Sequence, residues 1–533
     1  MKKIFSVLIN RNRLIKIVVC VLFAAASQPL VAWSISGLSS IITNQELFYY
    51  IAIKNLLILT FAIIIAWLSD NIKSNLLLES ELELRKHIFT GIYAMPIGDF
   101  EKKDSGSYYN QVGRDVQLIS SNVLGSLLRV IVDILSISFI AALLMYCHWL
   151  SFLVISFFLL PLIINNTLMP KKIEKCQENS MHMLVKMTIK VKDVLSGFFV
   201  ARFQEGEEYI KQSTFECFEK STIIEKGIAK LSNLSALIAN ASVTLSQFSG
   251  LSIAFLLLQK RQIDFTQFIL IFQLGMILNS PVVDLINSII TIRSFKPYIN
   301  GAEQALSVHA DKACYKLDKI DNVSFRNVSF CYPEKQRYIL QQFNHCFERG
   351  KKYLIIGESG SGKTTLIKLL LGILSPTSGS INYNTVKQQE LSPAEIYHHS
   401  AVVPQQIYIF DDTIRRNLDL QGNCSDQQLL DIIRKVKLDK FFAINQYTLD
   451  SHISNETLQV SGGEKARIGL ARTLVMYKSI VIYDEVLSGL DPQNADLVED
   501  LILTSCDQIV IHIAHNSSPQ YLNRYDEVIR LNM

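Results

Sequence analysis

Six runs of apolar residues, at about 14–36, 47–69, 124–147, 150–169, 234–258 and 265–292, occupy the first three hundred positions of the chain. Each has close to the ~20 residues that an α-helix needs to cross the hydrocarbon core of a bilayer. Short links join the first run to the second, the third to the fourth and the fifth to the sixth, whereas 70–123 and 170–233 are long and polar. These two connectors keep apolar residues at helical spacing. In 72–95 the pattern stops at Pro96, and Gly98 to Gly106 reads as a turn before a further helix; the second connector breaks at Ser196-Gly197 and again at Gly206. Each connector is expected to be a helical hairpin that extends the membrane helices and carries a short transverse piece at its tip.

The pattern changes after residue 300. A polar stretch, 301–322, reads as a linker, and from Val323 onward the chain alternates as a soluble α/β domain. Val323–Phe330 is an alternating strand that ends at Cys331-Tyr332-Pro333. Further apolar strands end at Ile356, Val403, Tyr483 and Ile513, each followed by a polar loop. Open α/β sheets bind ligands at such strand ends.

Composition supports this division. A chain of 533 residues exceeds what one hydrophobic core serves. A hydrophobic content of 49%, only 19% charged residues and a mean hydropathy of +0.24 indicate a membrane protein. The net charge of +4 is small for this length and offers nothing to nucleic acid. The 9 cysteines include no C-x-x-C pair and no metal-ligand spacing, so a reduced cytosolic compartment without structural disulfide or zinc is expected.

Charge placement sets the orientation. Lys2, Lys3, Arg11 and Arg13 precede the first run; Lys73, Arg85, Lys86, Lys102, Lys103 and Arg114 lie in the first connector, and Lys171, Lys172, Lys175, Lys186, Lys190 and Lys192 in the second. The short links carry almost no basic residues, Lys260 and Arg261 excepted. By the positive-inside rule both termini and both connectors are cytoplasmic. The basic N-terminus followed by an apolar run also fits a signal peptide. The length of that run, its lack of a small-x-small cleavage site and the spans that follow argue against one.

The chemistry begins at Gly357-Glu358-Ser359-Gly360-Ser361-Gly362-Lys363-Thr364, which fits G-x-x-x-x-G-K-[ST] between the strand Tyr353–Ile356 and a helix from Thr365. Glycines let successive backbone N–H groups converge on phosphate oxygens, and the following helix N-terminus adds its positive dipole end. In such a loop Lys363 reaches the β and γ phosphates and the Thr364 hydroxyl holds Mg²⁺. Asp484 closes the strand Ile480–Tyr483 as a further Mg²⁺ ligand, and Glu485 beside it is a candidate to orient or deprotonate attacking water. Ser461-Gly462-Gly463-Glu464, ahead of a helix over 465–476, forms a second anion-binding end. One domain binding one ATP does not need two such ends, so a composite site completed by a second copy is implied. The expected fold is an α-helical six-span membrane domain (1–300) plus an α/β P-loop ATPase domain (323–533).

With these motifs in place, the chain resembles an ATP-binding cassette exporter half-transporter, six membrane helices fused to one nucleotide-binding domain. The resemblance implies ATP and Mg²⁺ as cofactors. It makes Val460–Glu464 the signature, normally Leu-Ser-Gly-Gly-Gln, with Val and Glu at its two ends here. It makes Gln405 the Q-loop residue that senses Mg²⁺, Ser488–Asp491 the D-loop, His515 the switch histidine with His512 a nearby alternative inside the strand, and Tyr332 the aromatic residue stacked on adenine. Met95–Gly106 with Arg114-Asp115-Val116, and Asp193–Gly197 with Gln204–Gly206, resemble the two intracellular loops. The chain as given has no peptidase domain ahead of the first span.

The resulting expectation is an ATP-driven exporter in the inner membrane of a bacterium, working as a homodimer or, alternatively, a heterodimer. Its substrate is expected to be small and amphipathic: a peptide first, then a lipid or a drug. An ATP-gated channel or membrane regulator is the rival reading, and retention of Glu485 favours turnover over gating. Inside the runs, Arg129 and Asp133 are four apart and share a helix face, and Asp284 follows an expected kink at Pro281. The first two either neutralise each other or serve the transport path; Asp284, lacking a partner in its own turn, is expected to face the cavity and favour cationic substrates.

Overall fold

The computed structural model describes residues 11–37, 48–103, 105–306, 315–332, 337–358, 360–454, 462–488, 490–504, 507–514 and 522–531. The chain divides into two compact units. One comprises Met1–Ala94 with Asp104–Val308, the other Met95–Lys103 with His309–Met533.

The first unit is helical. Its elements are α1 (Arg11–Gly37), α2 (Phe48–Tyr93), α4 (Gly125–Cys147), α5 (Trp149–Ser196), α6 (Phe198–Phe203), α7 (Glu207–Gln259), α8 (Phe265–Ile277), α9 (Asn279–Ser294) and α10 (Lys296–Leu306); α3 (Ile97–Phe100) belongs to the second unit. A helical run from Ser105 leads into α4 through π-type turns at Gln111–Asp115 and Ile119–Leu124. At 1.5 Å per residue, the 48 residues of α5 and 53 of α7 make helices of about 70 and 80 Å, more than twice a ~30 Å hydrocarbon core. They are the long hairpin expected from the second connector, broken at Gly197 and Gly206. Among the described residues five helical stretches are long and apolar enough to cross a membrane. The remaining expected run, 150–169, starts α5, where Trp149–Pro161 is a shorter apolar stretch and several later side chains lie outside the described set.

Small residues bring these helices together. Ser34 Oγ donates to the Asn55 carbonyl (2.7 Å), Ser69 Oγ to Cys20 (3.0 Å), Ser120 Oγ to Leu77 (2.8 Å) and Ser246 Oγ to Ile155 (3.0 Å). Such short hydroxyls replace the hydrophobic drive that lipid cannot supply between helices. Ile140, Leu144, Ile155, Ala254, Leu257, Ile271 and Leu274 fill the centre. The helical path breaks at Leu278, ahead of the expected kink at Pro281, because a proline clashes with the carbonyl four residues before it, here that of Ile277.

The second unit is α/β. An antiparallel sheet has the order β2 (Tyr338–Glu348), β1 (Asn322–Cys331), β4 (Ser378–Tyr383), β5 (Val386–Lys387). A parallel sheet has the order β11 (Glu527–Arg530), β3 (Lys352–Ile356), β10 (Ile509–Ala514), β9 (Ile480–Asp484), β6 (Ser400–Val403), and β7 (Asp412–Thr413) pairs with β8 (His452–Ile453). Both faces of the parallel sheet are covered, so its central strands read as continuous apolar runs. Tyr353, Leu354, Ile355, Ile480, Ile482 and Ile509 to Ile511 are fully buried. The helices that matter below are α11 (Lys363–Leu370), α12 (Asp426–Lys435), α13 (Gly462–Met476) and α14 (Pro492–Leu503). The tip Met95–Lys103 lies against the end of α11. Glu101 pairs with Lys368, and a Cβ on Gly98 would stand 2.8 Å from the Ile373 carbonyl oxygen.

Candidate active site

The phosphate loop leaves β3 at Ile356 and enters α11 at Lys363. Lys363 is 6% exposed, and its Nζ donates to the carbonyls of Gly357 (2.6 Å) and Glu358 (3.0 Å), which centres one positive charge inside the loop. Gly362 adopts φ +96°, and a Cβ there would meet Ile339 Cγ2 at 2.7 Å, so backbone and space both require glycine. The Ser361 hydroxyl is buried without a hydrogen-bond partner. An orphaned donor, a buried ammonium group and bare backbone at Gly357, Gly360 and Gly362 together fit a phosphate chain. Thr364 is exposed in the first turn of α11, whereas Thr365 is buried with its Oγ1 3.4 Å from the Tyr332 hydroxyl. Tyr332 also meets Phe330 edge-on, with ring centroids 5.0 Å apart, and so stands beside the phosphate-loop helix.

Parallel pairing brings the remaining groups to the same end of the sheet. Ala514 on β10 is level with Ile356 on β3, and Ile513 with Asp484 on β9. Burial, and next the charge of Glu485, push the Asp484 carboxyl above the usual carboxylate range, opposed by Lys363. A nearby cation, Lys363 or Mg²⁺, suits such a group. Glu485 turns out of the strand at φ +50°, a conformation that costs a non-glycine residue about 1–3 kcal/mol. Its backbone N–H donates to the Ile513 carbonyl (3.1 Å), and its Oε2 accepts from Gln405 Nε2 at 2.9 Å. Gln405 and Glu485 are 80 residues apart in sequence and meet because β6 pairs with β9.

His512 lies inside β10, 1% exposed, with Nδ1 2.6 Å from the Tyr525 hydroxyl, which donates to Glu499 (3.0 Å). It is thus part of the core, away from the exposed strand ends. Ser359, Ser461 and His515 lie outside the described residues. Gly462 opens α13, and the neighbours of Gly462 and Gly463 are Leu490 (3.5 Å from a Cβ on Gly462) and Asn494 (3.4 Å from one on Gly463). Asp491 caps α14 by accepting from the Asn494 backbone N–H (3.2 Å).

One supporting residue escapes a reading of motifs. Arg472 on α13 donates to the carbonyls of Asn417 (2.7 Å) and Tyr408 (2.8 Å) and to Asn417 Oδ1 (3.1 Å), and burial lowers its pKa. It holds the segment that follows Gln405. Its only sequence signal is an arginine in a helix whose neighbours Leu470, Ala471 and Thr473 are buried.

Residues 14–282 match the family model of the ABC transporter transmembrane region, and residues 340–488 that of the ABC transporter. The chain belongs to the ABC transporter family. This ABC transporter joins its membrane region and its cassette in one chain, binds ATP and couples ATP hydrolysis to transport. Its relatives include proteins named for export, flipping and transport. The Microcin-J25 export ATP-binding/permease protein McjD of Escherichia coli is 25% identical over 83% of this chain and 77% of its own. The ATP-dependent lipid A-core flippase of Haemophilus influenzae is 23% identical over 87% and 79%. The nisin transport ATP-binding protein NisT of Lactococcus lactis is 34% identical over 37% of this chain and 34% of that protein. The fold is that of a bacterial Atm1-family ABC exporter solved with ATP bound, with a TM-score of 0.81, 18% identity and coverage of 98% of this chain and 93% of that one.

Proposed function

We propose that this chain is one half of a dimeric exporter that moves a small amphipathic substrate across the cytoplasmic membrane of a bacterium by alternating access, with both termini and both long connectors in the cytoplasm. The observation that carries the reading is the Glu485 carboxylate, held by Gln405 next to Asp484, whose own carboxyl feels the charge of the buried Lys363. A gate that only senses nucleotide has no need of a positioned base.

In the proposed cycle Lys363, Ser361 and the backbone of Gly357–Thr365, Ser359 included, bind the phosphates, and Tyr332 stacks on the base. Thr364, Gln405 and Asp484 would hold Mg²⁺, which neutralises phosphate charge. Glu485 orients or deprotonates water and His515 contacts the γ-phosphate end. Ser461, Gly462 and Gly463 close on the ATP held by the second copy. Peptide stands first among substrates because NisT and McjD are named for peptide transport; the lipid A-core flippases keep lipid next, and drugs follow. The test is reconstitution in lipid vesicles with ATP outside. ATP-dependent accumulation of an amphipathic peptide or a lipid analogue against its gradient is the expected result, and equilibration without accumulation would establish a channel instead.

A further inference from the structure

We propose that the N-terminal unit holds a subsite for one organic cation, a primary ammonium or guanidinium group of the transported molecule, between Asp133 and Asp284. The proposal rests on the exporter reading and names the chemistry of what is carried. A cavity of about 380 Å³ lies between α1, α2, α4 and the start of α9. Ligand pockets run from about 300 to 1,000 Å³, so this one suits a head group with its nearest carbons. Its charged lining is Asp70 and Lys73 from α2, Arg129 and Asp133 from α4, and Asp284 from α9; α1 contributes no charge. Three carboxylates against two cations leave one negative charge in excess.

Asp133 shows where that excess is concentrated. It is 6% exposed, and its Oδ2 is buried without a hydrogen-bond donor. A carboxylate oxygen left in that condition is costly in any interior, and more so within a membrane bundle. Arg129 lies one turn earlier on the same helix, yet it is exposed and does not supply the missing donor. Asp284 is half-buried and its Oδ2 accepts from Ser280 Oγ at 3.0 Å, so its carboxylate is held at the mouth of α9. Both carboxylates line one space.

An ammonium group brings three donors and a guanidinium five, enough to satisfy Asp133 Oδ2 and still reach Asp284. A metal ion suits the site less. Among the described residues no group of three or more His, Cys, Asp or Glu could hold one, and Lys73 and Arg129 in the same wall would repel it. The buried hydroxyl of Ser136 is a further acceptor in the lining.

The test uses the full-length protein in nanodiscs of neutral phosphatidylcholine and two fluorescent probes: an amphipathic decapeptide with a single lysine, and the same peptide with that lysine acetylated. The wild type should bind the lysine peptide about tenfold more tightly, the worth of one charge-assisted contact. Asp284→Asn and Asp133→Asn should each bring the two affinities within about threefold of one another. Equal binding of the two peptides by the wild type, binding of neither, or an unchanged ratio in monodisperse variants overturns the site. Should Asp133→Asn fail to fold, the half-buried Asp284 and the wild-type comparison still decide. In the reconstituted vesicles, ATP-driven uptake of both peptides without preference would leave the exporter reading standing and remove the subsite. A tenfold preference in binding without ATP-driven uptake of either would do the reverse.

Discussion

Glu485 leaves β9 with a left-handed backbone, and its carboxylate is held from outside its own loop by Gln405. Glu485→Gln keeps the side-chain shape and removes the basic oxygen. It should lower ATP hydrolysis by on the order of 10²-fold or more while ATP binding persists, read as phosphate release against nucleotide affinity; hydrolysis at the parent rate would remove Glu485 from the role of base. His512 makes a different statement at the same scale. Burial pushes its ring from the ordinary 6.5 down to about 4. The folded chain keeps it neutral while the unfolded chain takes up a proton below about pH 6.5, so the stability it contributes is complete above that pH and is lost as pH falls toward 4. The full effect is on the order of 3 kcal/mol. Glu499, which burial pushes upward, acts in the opposite sense. The measurement is therefore a difference: between pH 7.5 and 5 the melting temperature should fall further for the wild type than for His512→Gln. Parallel falls would show that His512 titrates normally.

At the scale of elements, close helix contact is bought with absent side chains. A Cβ on Gly91 of α2 would stand 2.2 Å from the Ala305 carbonyl oxygen of α10, and a backbone oxygen cannot rotate away. Gly91→Ala should force the two helices apart at a cost of about 1–3 kcal/mol, seen as a lower melting temperature of the purified protein. An unchanged melting temperature would mean that α10 shifts without cost. Ordering and breaks of the helices were legible in the chain, since Gly197, Gly206 and Pro281 act through their own backbone. The position of the break near Pro281 was not, because the clash falls on the carbonyl of Ile277 four residues earlier. Four strands of the parallel sheet, β3, β6, β9 and β10, were equally legible as short apolar runs, whereas the edge strand β11, Glu527–Arg530, is charged at both ends and escaped that reading. Their order, and hence the meeting of Gln405 with Glu485, depends on pairing between segments 80 residues apart.

At the scale of the whole molecule, each proposed ATP site takes its phosphate loop from one copy and its signature from the other. Among the described residues the nearest atom to a Cβ on Gly462 is 3.5 Å away, so Gly462→Asp should fold and place a negative charge where phosphate closes. Lys363→Ala disables the other half. Neither variant alone should hydrolyse ATP. Co-expressed and purified by two tags, the mixed dimer contains one intact site of two, so it should recover roughly half of wild-type ATPase activity. No recovery would place both halves of the site in one chain. A stoichiometric second cassette chain co-purifying from the native host would replace the homodimer by a heterodimer.

Short-range information sufficed for the order of apolar runs, the phosphate loop, the acidic strand end and the family to which they point. Each depends on a period or a spacing contained in a window of about twenty residues or fewer, where backbone geometry acts directly. Only the tertiary structure decided which side chains share a space. It joined Gln405 to Glu485, sent His512 into the core with Tyr525, set Met95–Lys103 against the end of α11, and left Asp133 Oδ2 without a donor beside the cavity that Asp133 lines with Asp284. Those outcomes follow from how distant helices and strands fill volume together, and a linear pattern carries no record of that until the chain has folded.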